Sequence, residues 1–368
     1  MRIAILGTRG IPNHYGGFEQ FAEYLSLGLV ERGHEVTVYN SNDHPYQESN
    51  WKGVKIIHCY DPEDKIGTIG QFIYDFSCIL NTRTKNFDVI LQLGYTSSSV
   101  WGWLLPRKKT VVTTNVDGLE WKRTKFSPKV KRFLKYAEKL GIKYSDYLIS
   151  DSIGIQQYLT DTYKEASLYI PYGADLFTTP NKFCLQDFGV EEQKFSMLVA
   201  RLEPENSIEM ILDGVVGAKE NEKFLVIGKH ETKYGSYLKN KFKNQSNIIF
   251  VGGVYNINTL DNLRHYSRLY FHGHTVGGTN PSLLEAMASQ ALIAANKNVF
   301  NQSILGDDAL YFENSIDVSN LLNAVVKEAY QEFLQHNNTK ICHTFSWKQI
   351  VDQYENHFME ILKLKNER

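Results

Sequence analysis

The sequence predicts an α/β protein of two domains, each built on a parallel β-sheet with helices on both faces. Short apolar runs rich in β-branched residues alternate with helical patterns along most of the 368 residues. Near-continuous apolar strands of this kind are typical of parallel sheets that are covered on both sides. The alternation breaks in a polar segment after residue 175 and restarts near Phe195. Two domains also suit the length, because a domain commonly holds ~100 to 200 residues.

The first predicted domain covers residues 1–175. Its strands are expected at Ile3–Leu6, Glu35–Tyr39, Val54–His58, Asp88–Leu93, Thr110–Thr114, Tyr147–Ser150 and Leu168–Ile170. The helix after the first strand carries an apolar face and ends at Arg32 and Gly33, as an amphipathic helix with a terminal glycine does. The residues of that face are Phe18, Phe21, Ala22, Leu25 and Leu29.

The second predicted domain covers residues 176–345, and a last helix follows it at 346–368. Strands are expected at Phe195–Ala200, Lys223–Ile227, Ile248–Val251, Leu269–His272 and Leu292–Ala295. The last helix has Ile350, Tyr354, Phe358 and Ile361 on one face. Two Rossmann-like domains joined by a linker are the simplest architecture for this order of elements.

The composition is that of an ordinary soluble globular protein, with 42% hydrophobic and 22% charged residues. The net charge of −1 gives no general attraction to nucleic acid. The four cysteines, Cys59, Cys78, Cys184 and Cys342, are widely scattered, which favours reduced thiols over a disulfide or zinc framework. The chain begins with too short an apolar run for a signal peptide, and no apolar run reaches the ~20 residues of a membrane span. We therefore expect a cytoplasmic protein.

The loop after the first strand ends in Gly16 and Gly17, just before the first helix. A dinucleotide-binding fold requires Gly-x-Gly-x-x-Gly at this point and an acidic residue at the end of the second strand, whereas the second strand ends in Tyr39 and Asn40. Glycines before a helix allow backbone amides to come close to a ligand. The alternative is a tight turn that needs glycine only for its positive φ.

The segment 277–288 (GGTNPSLLEAMA) is the most informative motif, because it reads as a glycine-opened loop running into a capped helix. Asn280 is a good N-cap and Pro281 suits the first helical position. The amides around Gly278, Thr279 and Asn280 would then face an anion such as a phosphate. Glu285 follows about one turn later, where its carboxylate could accept hydrogen bonds from the two hydroxyls of a ribose.

Two further side chains follow predicted strands of the second domain, at the edge where parallel sheets bind ligands. Arg201 comes directly after the first of these strands and can hold a phosphate through two nitrogens. A surface pair of Arg201 with Glu203 or Glu205 is the alternative. His272 and His274 precede the glycine-opened loop, but no nearby residue completes a metal-ligand set. We interpret His274 as a hydrogen-bond donor near a diphosphate and expect no metal.

A basic amphipathic helix is predicted within residues 122–143, which contain nine Lys or Arg and a single acid, Glu138. Its apolar positions are Phe126, Val130, Phe133, Leu134, Ala137 and Leu140. Such a helix can rest on an anionic membrane surface. It can equally be a solvated helix whose apolar stripe packs on the first sheet, and the spacing alone does not separate these two interpretations.

Taken together, these motifs resemble the retaining glycosyltransferases of family four, which have the GT-B fold. The strings GTRGIP, DGLEWKR and GGTNPSLLE are similar to the rhamnosyltransferase-type branch of bacterial polysaccharide synthesis. The resemblance implies two Rossmann-like domains whose parallel sheets face a central cleft, with the last helix packing back on the first domain. It also implies that Gly16 and Gly17 face the donor diphosphate and that Glu285 holds the ribose.

Three positions depart from the family pattern. Gly277 stands where relatives carry a first glutamate, Asn206 where they carry a lysine, and Asn115 where they carry a histidine. Other residues are candidates to replace these groups. Lys229, Lys122 and Arg123 could complete the phosphate clamp. Asp117 could bind sugar hydroxyls or orient the acceptor, although a turn or cap carboxylate is an equal interpretation.

The implied function is transfer of a hexose or 6-deoxyhexose from a nucleoside diphosphate sugar to a glycan or lipid-linked glycan, without a cofactor. Arg201 and Asp117 are the expected catalytic residues. The expected location is the cytoplasm or the inner face of the cell membrane, reached through residues 122–143. Two other functions stay open at this point: a nucleotide-sugar 2-epimerase of the same fold, and a non-catalytic glycan-binding or scaffold protein.

Overall fold

The computed structural model describes residues 1–116, 118–123, 126–219 and 222–367. The chain divides into two compact units. The first contains residues 1–172 and 347–368, apart from a short segment at 123–125 that groups with the second, and the second contains residues 173–346. Each unit is an α/β layer structure with its own sheet.

The first unit is built on a sheet of eight strands in the order β3-β4-β2-β1-β5-β6-β7-β8. The strands are β1 (Arg2–Leu6), β2 (Glu35–Ser41), β3 (Asn50–Trp51), β4 (Val54–Cys59), β5 (Val89–Leu93), β6 (Val111–Val116), β7 (Tyr147–Ser150) and β8 (Leu168–Tyr169). All neighbours pair in parallel except β3 and β4, which form an antiparallel pair that the sequence did not predict. Strands such as β5 are buried along their whole length, as a sheet covered on both faces requires.

Helices surround the first sheet and two short 3₁₀ segments connect its elements. The helices are α1 (Gly17–Glu31), α2 (Glu63–Ile66), α3 (Ile69–Thr82), α4 (Pro128–Tyr144) and α5 (Ile153–Tyr163), and the 3₁₀ segments are Ser99–Leu104 and Glu120–Lys122. Helix α1 buries Phe21, Ala22, Leu25 and Leu29, four of the five residues of the predicted face, and Phe18 is only partly buried.

The second unit has a six-stranded, all-parallel sheet in the order β11-β10-β9-β12-β13-β14. The strands are β9 (Phe195–Val199), β10 (Lys223–Ile227), β11 (Ile248–Gly252), β12 (Tyr270–His272), β13 (Ile293–Asn296) and β14 (Leu310–Phe312). Strand β14 is too short for its pattern to stand out in the sequence. The strand order reverses between β9 and β12, and ligands of open α/β sheets bind at the carboxyl ends of strands at such a reversal.

The remaining helices belong to the second unit except the last one. They are α6 (Ile208–Gly217), α7 (Lys233–Lys241), α8 (Ile257–Tyr266), α9 (Pro281–Ala288), α10 (Val299–Leu305), α11 (Ser315–Ala324), α12 (Gln331–Lys340) and α13 (Trp347–Asn366). Short 3₁₀ segments lie at Lys182–Phe188, Pro204–Asn206 and Lys327–Tyr330, and a π-helical turn at Ile341–Phe345. None of the helices in the described part of the chain combines the length and apolar character that crossing a bilayer requires.

Helix α13 packs in the first unit although it ends the chain. It buries Ile350, Tyr354, Phe358 and Ile361, the face predicted from their spacing. The ring of Tyr354 lies 5.2 Å from that of Phe21 in α1. The last 20 or so residues therefore complete a core that the first residues of the chain begin.

Candidate functional site

The N-terminus of helix α9 has the capped geometry that the sequence predicts. The side-chain oxygen of Asn280 accepts a hydrogen bond from the Ser282 amide at 2.9 Å, and Pro281 occupies the first helical position. Thr279 is buried and Gly278 is partly buried, so the loop before the cap is packed rather than extended into solvent. Backbone amides at such a terminus carry partial positive charge and favour an anion.

Glu285 of α9 is held by an arginine that the sequence analysis missed. Arg264 Nη2 donates to Glu285 Oε2 at 2.6 Å, and its Nη1 donates to Asp261 Oδ1 at 2.9 Å. The Arg264 side chain is completely buried, whereas 16% of the Glu285 side chain stays exposed. Arg264 lies four residues after Leu260 on the buried face of α8. A charged residue on an apolar helix face was the signal that could have found it.

Arg201 follows β9 at the carboxyl edge of the second sheet, beside the reversal of strand order, and its side chain is exposed. Asn206 fastens the same loop, because its buried amide donates to the Arg201 carbonyl oxygen at 2.7 Å. The position that holds a lysine in the family pattern that the sequence resembles therefore holds a neutral side chain here, and this side chain fixes the backbone. It adds no positive charge beside Arg201.

The loops after β9 and β12 are bound to each other. Thr275 donates through Oγ1 to the Glu205 carbonyl oxygen at 2.7 Å. A Cβ on Gly273 would lie 2.2 Å from the Asn206 carbonyl oxygen, so only glycine permits this approach. Two loops that meet at the reversal of strand order therefore form one rigid edge, which carries Arg201 and leads to the N-terminus of α9.

His272 and His274 stack on each other with ring centroids 4.3 Å apart and do not converge on a common point. Burial and, to a smaller extent, the charges of Arg201 and Arg123 lower the pKa of His274 to about 3. The His274 carbonyl oxygen accepts hydrogen bonds from Asn298 and Asn301. With this lowered pKa the imidazole of His274 is neutral near pH 7. No group of three or more His, Cys, Asp or Glu within the described ranges is arranged to hold a metal ion.

Gly277 and Lys229 are two further residues of the second unit that the sequence analysis singled out. Gly277 has φ of 130°, a backbone conformation that favours glycine, and a Cβ added there would meet open space. The backbone at this position therefore favours glycine over the glutamate of the family pattern that the sequence resembles. Lys229 is exposed just beyond the carboxyl end of β10, one strand away from Arg201.

In the first unit, Gly16 and Gly17 lie at the N-terminus of α1. Gly16 is the N-cap residue with φ of −167°, and Gly17 is the first helical residue. Neither conformation is a left-handed turn, so the tight-turn interpretation of these glycines is wrong. Gly16 makes no side-chain cap hydrogen bond to α1, Gly17 is exposed, and Glu19 places an acid in the first turn of the helix.

Two buried polar side chains shape the loop before α1. Glu19 accepts hydrogen bonds from the Arg9 amide at 2.8 Å and from Thr8 Oγ1 at 3.2 Å. Asn40 makes a pair of hydrogen bonds with the amide and carbonyl oxygen of Ile11, at 3.1 and 2.9 Å. Asn40 occupies the strand end where a dinucleotide-binding fold has an acid, and here it fixes the loop backbone.

Asn115 has a structural partner in the last helix. It is 1% exposed, and its Nδ2 donates to the Tyr354 hydroxyl at 3.0 Å. Two strand positions earlier, Thr113 Oγ1 lies 3.1 Å from His357 Nε2 of the same helix. The residue that stands in place of the family histidine therefore ties β6 to α13, and it is too buried to contact a sugar in this arrangement.

The segment after β6 carries the remaining candidates. Asp117 lies outside the described residues. Lys122 is exposed, with Nζ 5.6 Å from the centre of the Trp121 ring. Arg123 groups with the second unit, where its Nη1 lies 3.7 Å from Glu205 Oε1. Part of the charge of Arg123 is therefore already balanced by a buried carboxylate.

A buried glutamate of α4 binds the side chain of Trp121 in the segment after β6. The sequence analysis noted this residue only as the single acid of the basic helix. Glu138 is the single acid of the basic helix and is 1% exposed. It accepts hydrogen bonds from Trp121 Nε1 at 3.1 Å, from Tyr158 at 2.7 Å and from the Tyr163 hydroxyl. Lys135 pairs with it at 2.9 Å. The donors balance the charge of Glu138 and hold Trp121 next to Lys122.

The basic helix α4 divides its apolar stripe between the core and the surface. Leu134 and Ala137 are buried, as the packing interpretation requires. Val130 and Phe133 in its first half are 40% and 36% exposed, and Tyr136 is 56% exposed. Packing on the first unit therefore accounts for Leu134 and Ala137. The membrane-surface interpretation stays open for Val130 and Phe133.

The chain matches one family model over its first part and several solved structures over its whole length. A family described as "Domain of unknown function (DUF1972)" matches residues 1–175. No curated protein sequence matches the chain. Sucrose-phosphate synthase from Thermosynechococcus elongatus is similar in structure, with a TM-score of 0.80, 14% identity and coverage of 99% of both chains.

Two further structures show the same likeness. HepE from Anabaena, in complex with UDP and glucose, has a TM-score of 0.78 and 15% identity over 98% of this chain and 99% of that one. Trehalose 6-phosphate synthase from Burkholderia multivorans has a TM-score of 0.72 and 12% identity over 99% and 97%. At these identities the likeness establishes the fold, which is the GT-B fold in all three and in this chain.

Proposed function

We propose that this GT-B protein is a glycosyltransferase that moves a hexose or 6-deoxyhexose, of rhamnose type, from a nucleoside diphosphate sugar to a glycan acceptor of cell-surface polysaccharide. The observation that carries the proposal is one edge of the second unit, where Arg201, the capped N-terminus of α9 and Glu285 lie beside the reversal of strand order. The donor class is supported by solved structures of HepE, which hold UDP and glucose or UDP-glucose.

Each group in this edge has a chemical match in such a donor. The amides at the start of α9 and the exposed Arg201 suit a diphosphate. The carboxylate of Glu285 suits the hydroxyls of a ribose. Neutral His274 suits a sugar hydroxyl or a phosphate oxygen, because a neutral imidazole can donate one hydrogen bond and accept another.

In the proposed reaction the bond between the anomeric carbon and the diphosphate breaks while the anomeric centre becomes oxocarbenium-like. Arg201 and the amides of α9 stabilise the charge that grows on the leaving diphosphate. The acceptor hydroxyl attacks from the same face, and its proton passes to the departing phosphate oxygen. The product keeps the anomeric configuration, and the nucleoside diphosphate leaves.

The experiment that tests the proposal is incubation of the full chain with a panel of nucleoside diphosphate sugars, with and without a glycan acceptor. Acceptor-dependent release of nucleoside diphosphate supports a transferase. A changed sugar nucleotide formed without acceptor indicates a 2-epimerase. If no donor of the panel is bound or turned over, the protein is not an enzyme of this class.

Two substitutions assign the roles within that assay. Arg201→Ala should lower kcat by ~10² or more, as loss of a group that stabilises a developing anion does. Glu285→Ala should mainly raise the donor KM, because the ribose is bound in ground and transition states alike. Wild-type kinetics in either variant would remove that residue from the proposed site.

The acceptor in our proposal is a lipid-linked glycan, and α4 brings the protein to the anionic membrane surface that carries it. Exposed Val130, Phe133 and Tyr136 share the helix with exposed Lys129 and Arg132. The Phe133 ring also lies 5.7 Å from that of Phe72 in α3, and Ile69, one turn before Phe72, is 67% exposed. Apolar side chains flanked by cations are the combination that binds a bilayer surface.

Sedimentation with vesicles tests this surface. The variant with Lys129, Lys131 and Arg132 changed to Gln should bind vesicles of phosphatidylglycerol more weakly, since each cation near such a surface contributes ~1 kcal/mol. A matched variant changes three exposed lysines elsewhere, Lys239, Lys243 and Lys348, to Gln. Equal loss in both variants would mean that only net charge matters, and no loss in either would leave α4 as a packed, solvated helix.

A further inference from the structure

Arg264 sets the position of the Glu285 carboxylate, and we propose that it is a positioning residue for the ribose hydroxyls of the donor. The inference rests on the proposed function, because it concerns the same donor site. It adds a residue from a different helix, α8, which neither the motif nor the family resemblance indicates.

The geometry of Arg264 is that of a bridge between two helices. One terminal nitrogen donates to Glu285 of α9 at 2.6 Å and the other donates to Asp261 of α8 at 2.9 Å. Nη2 also lies 3.3 Å from Ser282 Oγ, which in turn lies 2.6 Å from the Tyr270 hydroxyl. The guanidinium is thus fixed from both helices and from β12.

Burial makes this bridge rigid. Arg264 is completely buried, and the Asp261 side chain is 15% exposed. Ser289 Oγ donates to Asp261 Oδ1 at 3.0 Å, which holds the carboxylate that anchors the guanidinium. A buried charge is costly unless its partners are well placed, so these carboxylates and hydroxyls keep Arg264 in one position.

The consequence for Glu285 is a carboxylate that is oriented before any ligand arrives. A glutamate side chain loses up to ~2 kcal/mol of rotamer freedom when it is fixed, and a ligand that orders it must supply that free energy. Here Arg264 fixes one carboxylate oxygen while part of the side chain remains exposed. Ribose hydroxyls can then bind without ordering it, which is preorganisation of the binding site.

A lysine cannot replace this bridge, because an ammonium is a point charge on a flexible stem and lacks the planar fork of arginine. A purely structural arginine and a positioning arginine therefore differ in one measurable property. Loss of structure weakens all ligands equally, whereas loss of orientation weakens only those ligands whose hydroxyls Glu285 receives.

The experiment measures binding of nucleoside diphosphates to the full-length protein by calorimetry. UDP, ADP, GDP and dTDP are tested first, and the tightest is compared with its 2′,3′-dideoxy form. In the wild type we expect the dideoxy form to bind about tenfold or more weakly, as for lost hydrogen bonds to a charged group. In Arg264→Lys that ratio should fall below about threefold, with the dideoxy affinity little changed.

Arg268→Lys is the matched control. Arg268 is also an arginine of the second unit, is 12% exposed at its side chain and pairs with Glu222 at 2.5 Å. This control should lose stability to a similar degree and keep the wild-type hydroxyl ratio. If Arg264→Lys does not fold, Asp261→Ala serves, because it removes the second anchor of the guanidinium and should at least halve the ratio.

The outcomes separate the inference from the proposed function. A wild type that binds none of the four nucleotides overturns the proposed function itself. A wild type that binds one of them without regard to its hydroxyls removes Glu285 from the ribose and overturns the inference with it. A wild-type ratio that survives in Arg264→Lys, or in Asp261→Ala, overturns the inference alone.

Discussion

Buried amide side chains fasten the loops that carry the candidate site. Asn40 fixes Ile11 before α1, and Asn206 fixes the carbonyl oxygen of Arg201. An amide can donate and accept at once, and it satisfies a loop backbone without adding a charge. Asn40 and Asn206 therefore hold these loops without adding a charge, whereas Glu19 adds a buried carboxylate to the loop before α1.

Asp75 in α3 is a buried carboxyl group whose ionisation opposes folding. It is 6% exposed and accepts a hydrogen bond from Ser97 Oγ at 2.5 Å, and burial raises its pKa from 3.8 to about 7. Between these two values the folded protein keeps a proton that the unfolded chain has lost. The free energy of unfolding therefore falls as the pH rises from about 4 to about 7.

Asp75→Asn should remove that pH dependence. We expect the variant to be more stable than the wild type at pH 8, by ~4 kcal/mol at most, and to match it near pH 4. Urea unfolding at the two pH values measures the difference. Asp307→Asn, which removes an exposed carboxyl group, is the control, and an identical response of both variants would contradict the role of burial.

The local sequence predicted some residues of the candidate site and did not predict others. Asn280 and Glu285 could be placed from sequence because caps and helical spacing are local properties of the chain. Arg264 and Asn206 act through partners that are set by tertiary packing: Arg264 meets Glu285 from another helix, and Asn206 folds back on its own loop. Side-chain type alone did not reveal these partners, although the position of Arg264 on the apolar face of α8 was a signal that it is buried.

Among the secondary-structure elements, helix α9 contributes its N-terminus to the proposed donor site. It has only eight residues, so its first turn is a large part of its length. A short helix gains little from propagation and depends on capping and packing. The cap at Asn280 is therefore a substantial contribution to the local stability of the edge that would bind the diphosphate.

Replacing the cap tests this contribution. Asn280→Ala should lower the free energy of unfolding by ~1 kcal/mol, since the Ser282 amide loses its acceptor, whereas Asn280→Ser keeps a side-chain oxygen at the cap and should cost much less. Urea unfolding of the two variants beside the wild type gives both values. Equal losses for Ala and Ser would show that the side-chain hydrogen bond is not what stabilises the helix.

Helix α4 shows why a sequence pattern can support two interpretations at once. Its apolar residues recur at helical spacing, but the period does not say how far the neighbouring layer extends along the helix. Leu134 and Ala137 lie where that layer covers the helix, and Val130 and Phe133 lie where it does not. The length of the covering layer is a property of the whole unit and is absent from the local pattern.

At the scale of the molecule, alternation of strands and helices was sufficient to predict two parallel sheets, because buried parallel strands are apolar along their whole length. The antiparallel pair β3–β4 and the short strand β14 escaped this reasoning. Both are too short to show a period, and their pairing is decided by the neighbouring strand.

The last helix makes the first unit depend on the end of the chain. Phe358 is completely buried there, and Phe358→Ala should cost ~3–5 kcal/mol. Hydrogen exchange should show faster exchange in peptides of residues 1–172 than in those of 173–346. Phe312→Ala, at a 1% exposed position of the second core, should give the opposite distribution; the same distribution for both variants would contradict the assignment of α13 to the first unit.

The ribosome makes the first unit in two parts, and most of the second unit is synthesised between them. Residues 1–172 emerge before most of the second unit, whereas the helix that covers part of their core emerges after it. At ~5–20 residues per second the N-terminal part of the nascent chain waits roughly 10 to 35 s with that apolar face open. Chaperones have this interval in which to bind it. A chain that lacks α13 would therefore keep Arg201, Glu285 and the N-terminus of α9 and still have an incomplete first unit.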